Sequence, residues 1–246
     1  MEHYNELIHT LALAMGASWA SGINLYATLL VLGIGATQGV LALPSGLEVL
    51  ANPVVIGAAG LMYIVEFVAD KTPGVDSAWD AIHTFVRIPA GALLAAGAVG
   101  EVAPAVAIAA AIVGGGMAAS THATKAGSRV LINTSPEPFS NWGASLGEDV
   151  LVFAGLWTAL HHPSLFLVLL LIFVGIMVWM LPKIVRGIKR VFGLIGRMLG
   201  LGKKEFAQAK EGPYEALEKL KHLCDIGAIT QEEYESEKEK ILRASP

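Results

Sequence analysis

Long apolar segments separated by short polar stretches make up the first 182 residues of the chain. A helix needs about 20 largely apolar residues to cross the hydrocarbon core of a bilayer. Segments of this kind, some of them interrupted, cover residues 7–39, 49–69, 78–100, 104–131, 150–160 and 165–181. The pattern predicts an all-α polytopic membrane protein, with a bundle of about six transmembrane helices over residues 1–182.

Small and polar residues break up several of these segments. The first segment is too long for one simple span, and we expect its helix to be broken or loosened over 17–24. The fourth segment is expected to be interrupted at 114–116. The fifth is short unless 143–149 form its polar start. The interruptions in the first segment are Gly16, Ser18, Ser21, Gly22 and Asn24.

Basic residues are concentrated after the last apolar segment, at Lys183, Arg186, Lys189, Arg190, Arg197, Lys203 and Lys204. Because cytoplasmic loops carry an excess of Lys and Arg, the C-terminus is predicted to be cytoplasmic. Six spans then place both termini on the cytoplasmic side of a bacterial inner membrane. The similar tetrapeptides at 15–18 (MGAS) and 117–120 (MAAS) suggest a 3+3 inverted repeat of the kind found in transporters.

The chain changes character after residue 182. Residues 183–200 alternate basic with apolar side chains, which predicts an amphipathic helix on the membrane surface with Lys183, Arg186, Lys189, Arg190 and Arg197 toward anionic lipids. The alternative is a plain extension of the last span into the cytoplasm. Residues 201–212 are expected to be a linker, and 213–246 a cytoplasmic two-helix hairpin.

The hairpin is predicted from two short amphipathic stretches around a turn. The second helix begins with a capping box from Thr230 to Glu233. A unit of about 30 residues buries little apolar surface, so we expect it to dimerise, bind a partner or dock on the bundle. A homo-oligomer is the expected assembly.

The composition agrees with a membrane protein. Of 246 residues, 54% are hydrophobic and 15% are charged, with a mean hydropathy of +0.59. Soluble domains carry about 25% charged residues. The net charge of −4 does not indicate a nucleic-acid partner, and the single cysteine excludes an internal disulfide framework. The N-terminal residues lack the positive region of a secretory signal, so the first apolar segment is expected to be retained.

Ionisable residues occur where lipid-compatible residues are expected, and they fall on helix faces. Glu66 and Asp70 are four positions apart at the end of the second segment. A first stripe follows on the third segment, at offsets 0, 4, 7 and 11: Asp76, Asp80, His83 and Arg87. A second stripe lies on the fourth segment, at offsets 0, 3 and 7: His122, Lys125 and Arg129. Stripes that face one another would pair, which lowers the cost of burying them.

These residues predict a polar site open to the cytoplasm. Seven side chains are candidates for binding a cation or proton: Glu66, Asp70, Asp76, Asp80, His83, Glu148 and Asp149. Five are candidates for balancing charge or gating: Asn24, Arg87, His122, Lys125 and Arg129. The alternative is that these groups are structural ion pairs between helix ends. No metal site is expected, because neither His83 nor His122 has a second His or Cys at ligand spacing. No cofactor or catalytic motif is recognisable, so an enzyme is not expected.

The same residues resemble a known family. The motifs GINLYA (22–27), EFVADKTPGVDS (66–77), PAGA (89–92), HATKAGSR (122–129) and SPEPFSN (135–141) together resemble the bacterial membrane family called domain of unknown function 4126. The resemblance covers about residues 10–180. It implies a membrane protein and no established activity.

Two further resemblances concern other parts of the chain. The C-terminal stretches LEKL (217–220), DIGAITQEEY (225–234) and KEKIL (238–242) are similar to the short C-terminal domain called SHOCT, which implies an oligomerisation or interaction module. The segment from Glu66 to Thr72 is similar to the Glu-x-Gly-Asp-Lys-Thr motif of divalent-cation/proton exchangers with inverted repeats. It has one extra residue between the acids and lacks the glycine.

Three functions follow as hypotheses. The leading one is a transporter or channel-like protein with a carboxylate-rich site for a cation or proton. The second is a non-transporting scaffold whose C-terminal hairpin assembles the protein or recruits partners. The third is a lipid-handling protein in which Lys125 and Arg129, beside Trp142, hold a lipid phosphate.

Overall fold

The computed structural model describes residues 2–72, 74–100, 103–134, 138–198, 217, 220–222, 224 and 230–244. Within these residues the regular structure is helical. The helices are α1 Glu2–Ile23, α2 Leu25–Thr37, a 3₁₀ segment Ser45–Ala51, α3 Pro53–Ala69, α4 Val75–Ala98, α5 Pro104–Ile132, α6 Pro138–His161, α7 Pro163–Met198 and α8 Gln231–Ala244. The chain forms two compact units, Met1–Val191 and Phe192–Pro246.

Several helices of the first unit are suited to a bilayer. Among the described residues, three helices are long and apolar enough to cross it: α4, α5 and part of α7, Pro163–Gly193. The 3₁₀ segment and α3 make a fourth span if they count as one, since they meet at a bend of 67°. These findings agree with an all-α membrane-type protein. The total of six spans and the inverted repeat stay predictions.

The predicted break in the first segment is confirmed and lies at Asn24. The backbone of Asn24 is extended (φ −143°, ψ 99°), which ends α1. Its side-chain oxygen accepts a hydrogen bond from the Ala27 N–H at 3.0 Å and so caps α2. The last carbonyls of α1 are therefore free to meet other groups inside the bundle.

The predicted interruption at 114–116 is wrong, because α5 runs unbroken from Pro104 to Ile132. The glycines instead allow close contact between helices. A Cβ on Gly114 would overlap Ala95, and a Cβ on Gly91 would overlap Ala118. The Ser18 hydroxyl donates to the Gly91 carbonyl at 2.8 Å and ties α1 to α4. Helices α1, α4 and α5 form the closely packed centre of the unit.

Helices α6 and α7 are longer than the apolar segments from which they were predicted. Helix α6 begins at Pro138, so 143–149 do form the polar start that the sequence required. The separate helix predicted over 183–200 is not a distinct element. Helix α7 continues through Pro182 to Met198, and buried Ile184 packs against Gly127 of α5. This matches the alternative, an extension of the last span; residues 199 and 200 lie outside the described residues.

The second unit is described mainly through α8. The predicted capping box is confirmed: the Thr230 N–H donates to Glu233 Oε2 at 2.9 Å, and the Glu233 N–H donates to the Thr230 hydroxyl at 3.2 Å. Of the first predicted hairpin helix, residues 217, 220–222 and 224 are described and helical. The predicted linker 201–212 and most of the turn at 225–230 lie outside the described residues.

Candidate functional site

Charged side chains from four helices meet inside the first unit. They come from the C-terminal end of α3, the first half of α4, the second half of α5 and the first half of α6. We call this set the charge cluster: Glu66, Asp70, Asp80, Arg87, Lys125, Arg129 and Glu148. The two stripes predicted on α4 and α5 therefore face one another.

Arg87 lies at the centre of the cluster. It stands about half-way along α4 and is completely buried. Its Nη2 pairs with Glu66 Oε1 at 2.5 Å, and its Nη1 lies 3.2 Å from Asp80 Oδ1. Both carboxylates are themselves 0% exposed. A charge held this far from solvent is stable only with partners of opposite charge.

Lys125 lies where the carboxylates converge on the end of α1. Its ammonium donates to Asp70 Oδ2 at 2.9 Å and to the carbonyl of Ile23, the last residue of α1, at 3.0 Å. Glu148, Glu66 and Asp80 oxygens lie 3.3, 3.4 and 3.8 Å from the same nitrogen. Five oxygens thus surround one protein cation.

Arg129 closes one side of the cluster. Its guanidinium meets Glu148 as a fork, with Nε–Oε1 at 3.1 Å and Nη2–Oε2 at 2.7 Å. The Nη1 donates to the Asp70 carbonyl at 3.1 Å and to both oxygens of Asn141. Arg129 is fully buried, whereas the Glu148 side chain is 17% exposed. Glu148 is the most exposed cluster member in these ion pairs, so the cluster reaches its surroundings on the α6 side.

Not every carboxylate oxygen in the cluster has a hydrogen-bond donor. Within the described residues, no donor meets Glu66 Oε2, Asp70 Oδ1 or either oxygen of Asp80. Asp80 is held by its ion-pair distances to Arg87 and Lys125 alone. Among the cations, Arg87 Nε also lacks an acceptor, so hydrogen bonding is incomplete on both sides of the ion pairs.

The hydrogen bonds of His122 fix it as a neutral ring. Arg87 Nη1 can only donate, so the His122 Nδ1 at 3.0 Å must accept. The Asp80 carbonyl can only accept, so the His122 Nε2 at 3.0 Å must donate. His122 therefore orients Arg87 and the α4 backbone without adding charge.

His83 lies beside the cluster and is held by one carbonyl and one hydroxyl group. Its Nδ1 donates to the Trp79 carbonyl at 2.9 Å, and its Nε2 is hydrogen-bonded to the Tyr26 hydroxyl at 3.0 Å. The Trp79 ring stacks on the imidazole with centroids 4.1 Å apart. His83 links α2 to α4 and makes none of the cluster's ion pairs among the described residues.

Asp76 and Asp149, two other predicted ion ligands, lie in different surroundings. Asp76 accepts from the Gly74 and Ser77 N–H groups at 2.9 and 2.6 Å and from the Asn133 amide at 2.7 and 2.9 Å. We call this group of Gly74, Asp76, Ser77 and Asn133 the cap cluster. Asp149 accepts from the Asn24 amide at 3.0 Å, which connects α6 to the break between α1 and α2.

The predicted lipid-facing residues are exposed on α7 where they are described. Lys183, Arg186, Lys189 and Arg190 are exposed, and the side chain of Arg197 lies outside the described residues. The Lys183 ammonium sits 2.8 Å from the centre of the Trp179 ring. Lys125 and Arg129, considered above for a lipid phosphate, are already paired with carboxylates.

The described residues contain no group of three or more His, Cys, Asp or Glu side chains placed to hold a metal ion. The carboxylates of the charge cluster instead surround guanidinium and ammonium groups. The arrangement can store charge, exchange a proton, or release a protein cation from its carboxylates. It offers no ready-made cage for a divalent ion.

Sequence reasoning missed the backbone groups that complete the site. The Ile23 carbonyl binds Lys125, and the Gly22 carbonyl lies 3.4 Å from Arg87 Nη1. The signal was available, because a helix broken at Asn24 must leave carbonyls without helical partners. Asn141 and Asn133 were also missed, since a single amide carries no pattern along the chain.

The comparisons with known proteins agree with the fold. The family model described as Domain of unknown function (DUF4126) matches residues 11–183, so the chain belongs to this family. The model described as Short C-terminal domain (SHOCT) matches residues 215–242. No curated protein and no solved structure matches the chain.

Proposed function

We propose that this family member is a membrane transporter or channel-like protein that moves a proton or small cation through the charge cluster. The observation that carries the proposal is the position of the cluster: two of its seven charged side chains, Lys125 and Arg87, meet the Ile23 and Gly22 carbonyls at the end of α1, next to the break between α1 and α2. Discontinuous helices whose free backbone ends face buried charges are typical of secondary transporters. The proposal includes six spans, with both termini in the cytoplasm.

The energetics favour a working site over a purely structural one. Buried ion pairs add little net stability, because desolvation offsets their attraction. A structural lock also gains from satisfying every polar atom, yet the carboxylates Glu66, Asp70 and Asp80 keep oxygens without donors. Carboxylates that are held by ion pairs and not by hydrogen-bond donors of fixed direction can change partners when one of them gains or loses a proton.

The four acids of the charge cluster differ in exposure, which gives an order in which they would gain or lose a proton. Glu148 is its most exposed acid, Asp70 follows at 5%, and Glu66 and Asp80 are fully buried. Lys125 lies within 4 Å of all four acids, so it stays paired while any one of them is neutralised. An ion or proton would pass from the α6 side toward the end of α1.

The test is flux into vesicles that contain the purified full-length protein. We expect flux of protons or of a cation in the wild type and loss of it in Asp80→Asn and Glu66→Gln. Glu48→Gln, an exposed acid on the 3₁₀ segment, is the control and should behave as wild type. Size-exclusion profiles of each variant check folding. Normal flux in both Asp80→Asn and Glu66→Gln would refute the site.

A scaffold is the second candidate function. The observation that favours it is a C-terminal unit with a formed capping box that matches the short C-terminal domain model. Deletion of residues 205–246 separates the two functions. A scaffold should lose its oligomeric state and partners, whereas a transporter core should keep its flux.

A further inference from the structure

The charge cluster is one positive charge short of neutrality. It holds four carboxylates, Glu66, Asp70, Asp80 and Glu148, against the three cations Arg87, Lys125 and Arg129. If all seven are ionised, the sum is −1. An uncompensated charge in a buried site is costly, so the cluster favours the uptake of one further positive charge.

Within the part of the chain that the structure describes, no neighbouring group supplies this charge through an ion pair. His122 is neutral, and protonating its Nδ1 would break its bond to Arg87 and place two positive charges in contact. His83 bonds to the Trp79 carbonyl and the Tyr26 hydroxyl and makes no ion pair with a cluster carboxylate among the described residues. Asp76 accepts from neutral donors only, and Asp149 accepts from Asn24. Lys71 interacts electrostatically with Asp149 and Asp70, but its ammonium donates to the Phe67 carbonyl at 3.2 Å and the Ser145 hydroxyl at 3.4 Å and makes no ion pair with a cluster carboxylate among the described residues.

Asp80 is the carboxylate of the cluster that most readily takes up the additional positive charge. Glu66 Oε1 pairs with Arg87 at 2.5 Å, and Asp70 Oδ2 accepts from Lys125 at 2.9 Å. Asp80 is completely buried, neither of its oxygens accepts a hydrogen bond from a described residue, and its nearest cation is 3.2 Å away. It is therefore the carboxylate of the cluster that loses least when it becomes a neutral acid.

The same geometry argues against a metal ion. The Lys125 ammonium occupies the point between the carboxylates, with five oxygens within 3.8 Å. A metal ion needs oxygens at about 2.0 to 2.6 Å, which this ammonium already engages. A divalent ion would also turn a deficit of one charge into an excess of one, next to a fixed cation.

We propose that the site carries a single proton, bound by Asp80, and that Lys125 is a tethered cation that keeps metal ions out. This inference rests on the transport function proposed above and names its substrate. On loading, a hydronium ion that reaches the cluster past Glu148 breaks one O–H bond and gives its proton to the Asp80 carboxylate, which becomes a carboxylic acid and leaves a water molecule. On release, the proton returns to water on the other side and the carboxylate re-forms. No other bond is made or broken.

Removing Lys125 should change what the site accepts. In Lys125→Ala the deficit grows to two charges, and the oxygens around the former ammonium become free to bind Na⁺ or K⁺. We expect these ions to raise the melting temperature of Lys125→Ala in a concentration-dependent way and to leave that of the wild type unchanged. Lys125→Gln is the second variant, for use if the alanine variant does not fold.

The closing experiment measures flux and protonation in the same full-length protein. Proton flux into vesicles is followed with a pH-sensitive dye, with Na⁺, K⁺ and Ca²⁺ each replaced in turn by an impermeant cation. We expect wild-type proton flux to be independent of these ions and to fall to the level of protein-free vesicles in Asp80→Asn. Infrared spectra at neutral pH should show a carboxylic acid carbonyl band that is lost in Asp80→Asn and kept in Glu48→Gln.

The outcomes separate the two proposals. Wild-type flux of a metal ion without protons would overturn the proton inference and leave the transport function standing. No flux of any kind would overturn the transport function. Absence of the carbonyl band at neutral pH, or its persistence in Asp80→Asn, would overturn the assignment of the proton to Asp80.

Discussion

Asp76 and Asp80 lie one turn apart on α4, and both are completely buried. Asp76, in the cap cluster, accepts hydrogen bonds from two backbone N–H groups and the Asn133 amide. Asp80, in the charge cluster, faces the cations Arg87 and Lys125, and no described residue donates a hydrogen bond to it. The same residue type on the same helix is therefore stabilised in two different ways.

Neutral hydrogen-bond donors hold a buried acid in one geometry, whereas cations leave it free to exchange a proton. Neutral donors are directional, so the cap cluster ties the start of α4 to the end of α5 in one geometry. Charges act over longer distances, so Lys125 contacts several carboxylates at 2.9 to 3.8 Å and none of them exclusively. The cap cluster holds the helices in place, and the charge cluster can then change its charge state.

The largest effect is expected from Arg87→Met, which removes the central cation. Glu66 and Asp80 would each lose their closest positive partner in a fully buried place. Breaking a buried pair in this way costs about 3–5 kcal/mol. We expect a large fall in the melting temperature of the detergent-solubilised protein, followed by loss of its monodisperse peak. Arg186→Met on the exposed face of α7 is the control, and equal melting of the two variants would contradict the central role of Arg87.

Asp76→Ala should affect stability without affecting transport. The substitution removes the acceptor of the Gly74 and Ser77 N–H groups, while the Asn133 amide keeps only Ser77 Oγ, and donors left unpaired in this way cost about 1–3 kcal/mol. Proton flux per folded molecule should stay at the wild-type level, in contrast to Asp80→Asn. Thermal unfolding and vesicle flux on the same preparation check both parts. If flux disappeared in Asp76→Ala while the fold was intact, the distinction between the two clusters would be lost.

Close contact between α4 and α5 supports both clusters, and glycines make it possible. Gly91→Ala would place a methyl group on Ala118, and overpacking of this kind costs about 1–3 kcal/mol. Gly116→Ala is the matched control, because nothing lies within 4 Å of its added Cβ and alanine favours the helix by about 1 kcal/mol. We expect Gly91→Ala to melt below the wild type and Gly116→Ala at or above it. The reverse order would mean that α4 and α5 do not approach each other as described.

The smallest effect concerns Glu233, an exposed counterpart of Asp76. Hydrogen bonds from the Thr230 N–H and hydroxyl hold the pKa of this carboxyl below its ordinary value. Because the folded pKa is lowered, the cap stabilises α8 above the unfolded pKa, and this contribution is lost as the pH falls through the folded pKa. In ¹³C-glutamate-labelled protein, the Glu233 carboxyl should titrate lower in the wild type than in Thr230→Ala. Identical titration would contradict the capping box.

Much of the arrangement was predictable from helix periodicity. The offsets of Asp80 and Arg87 on one stripe, and of Lys125 and Arg129 on another, placed four of the seven cluster members on two faces. The break at Asn24 followed from small and polar residues in an overlong apolar segment. The unbroken α5 did not follow, because a run of glycines predicts either a break or a close helix contact, and only the neighbouring Ala95 decides between them.

Four features could be predicted from the order of residues: the helical, membrane-type character of the chain, its family, the capping box at Thr230 and the identity of nearly all the buried charges. These features depend on the local spacing and the types of residues, which can be read directly from the sequence. The packing of the helices was needed to show which acids meet cations and which meet neutral donors. Asp76 and Asp80 are equivalent along α4, and they differ because Asn133 reaches one from α5 and Lys125 lies near the other. Such contacts join residues more than 40 positions apart, and no local pattern encodes them.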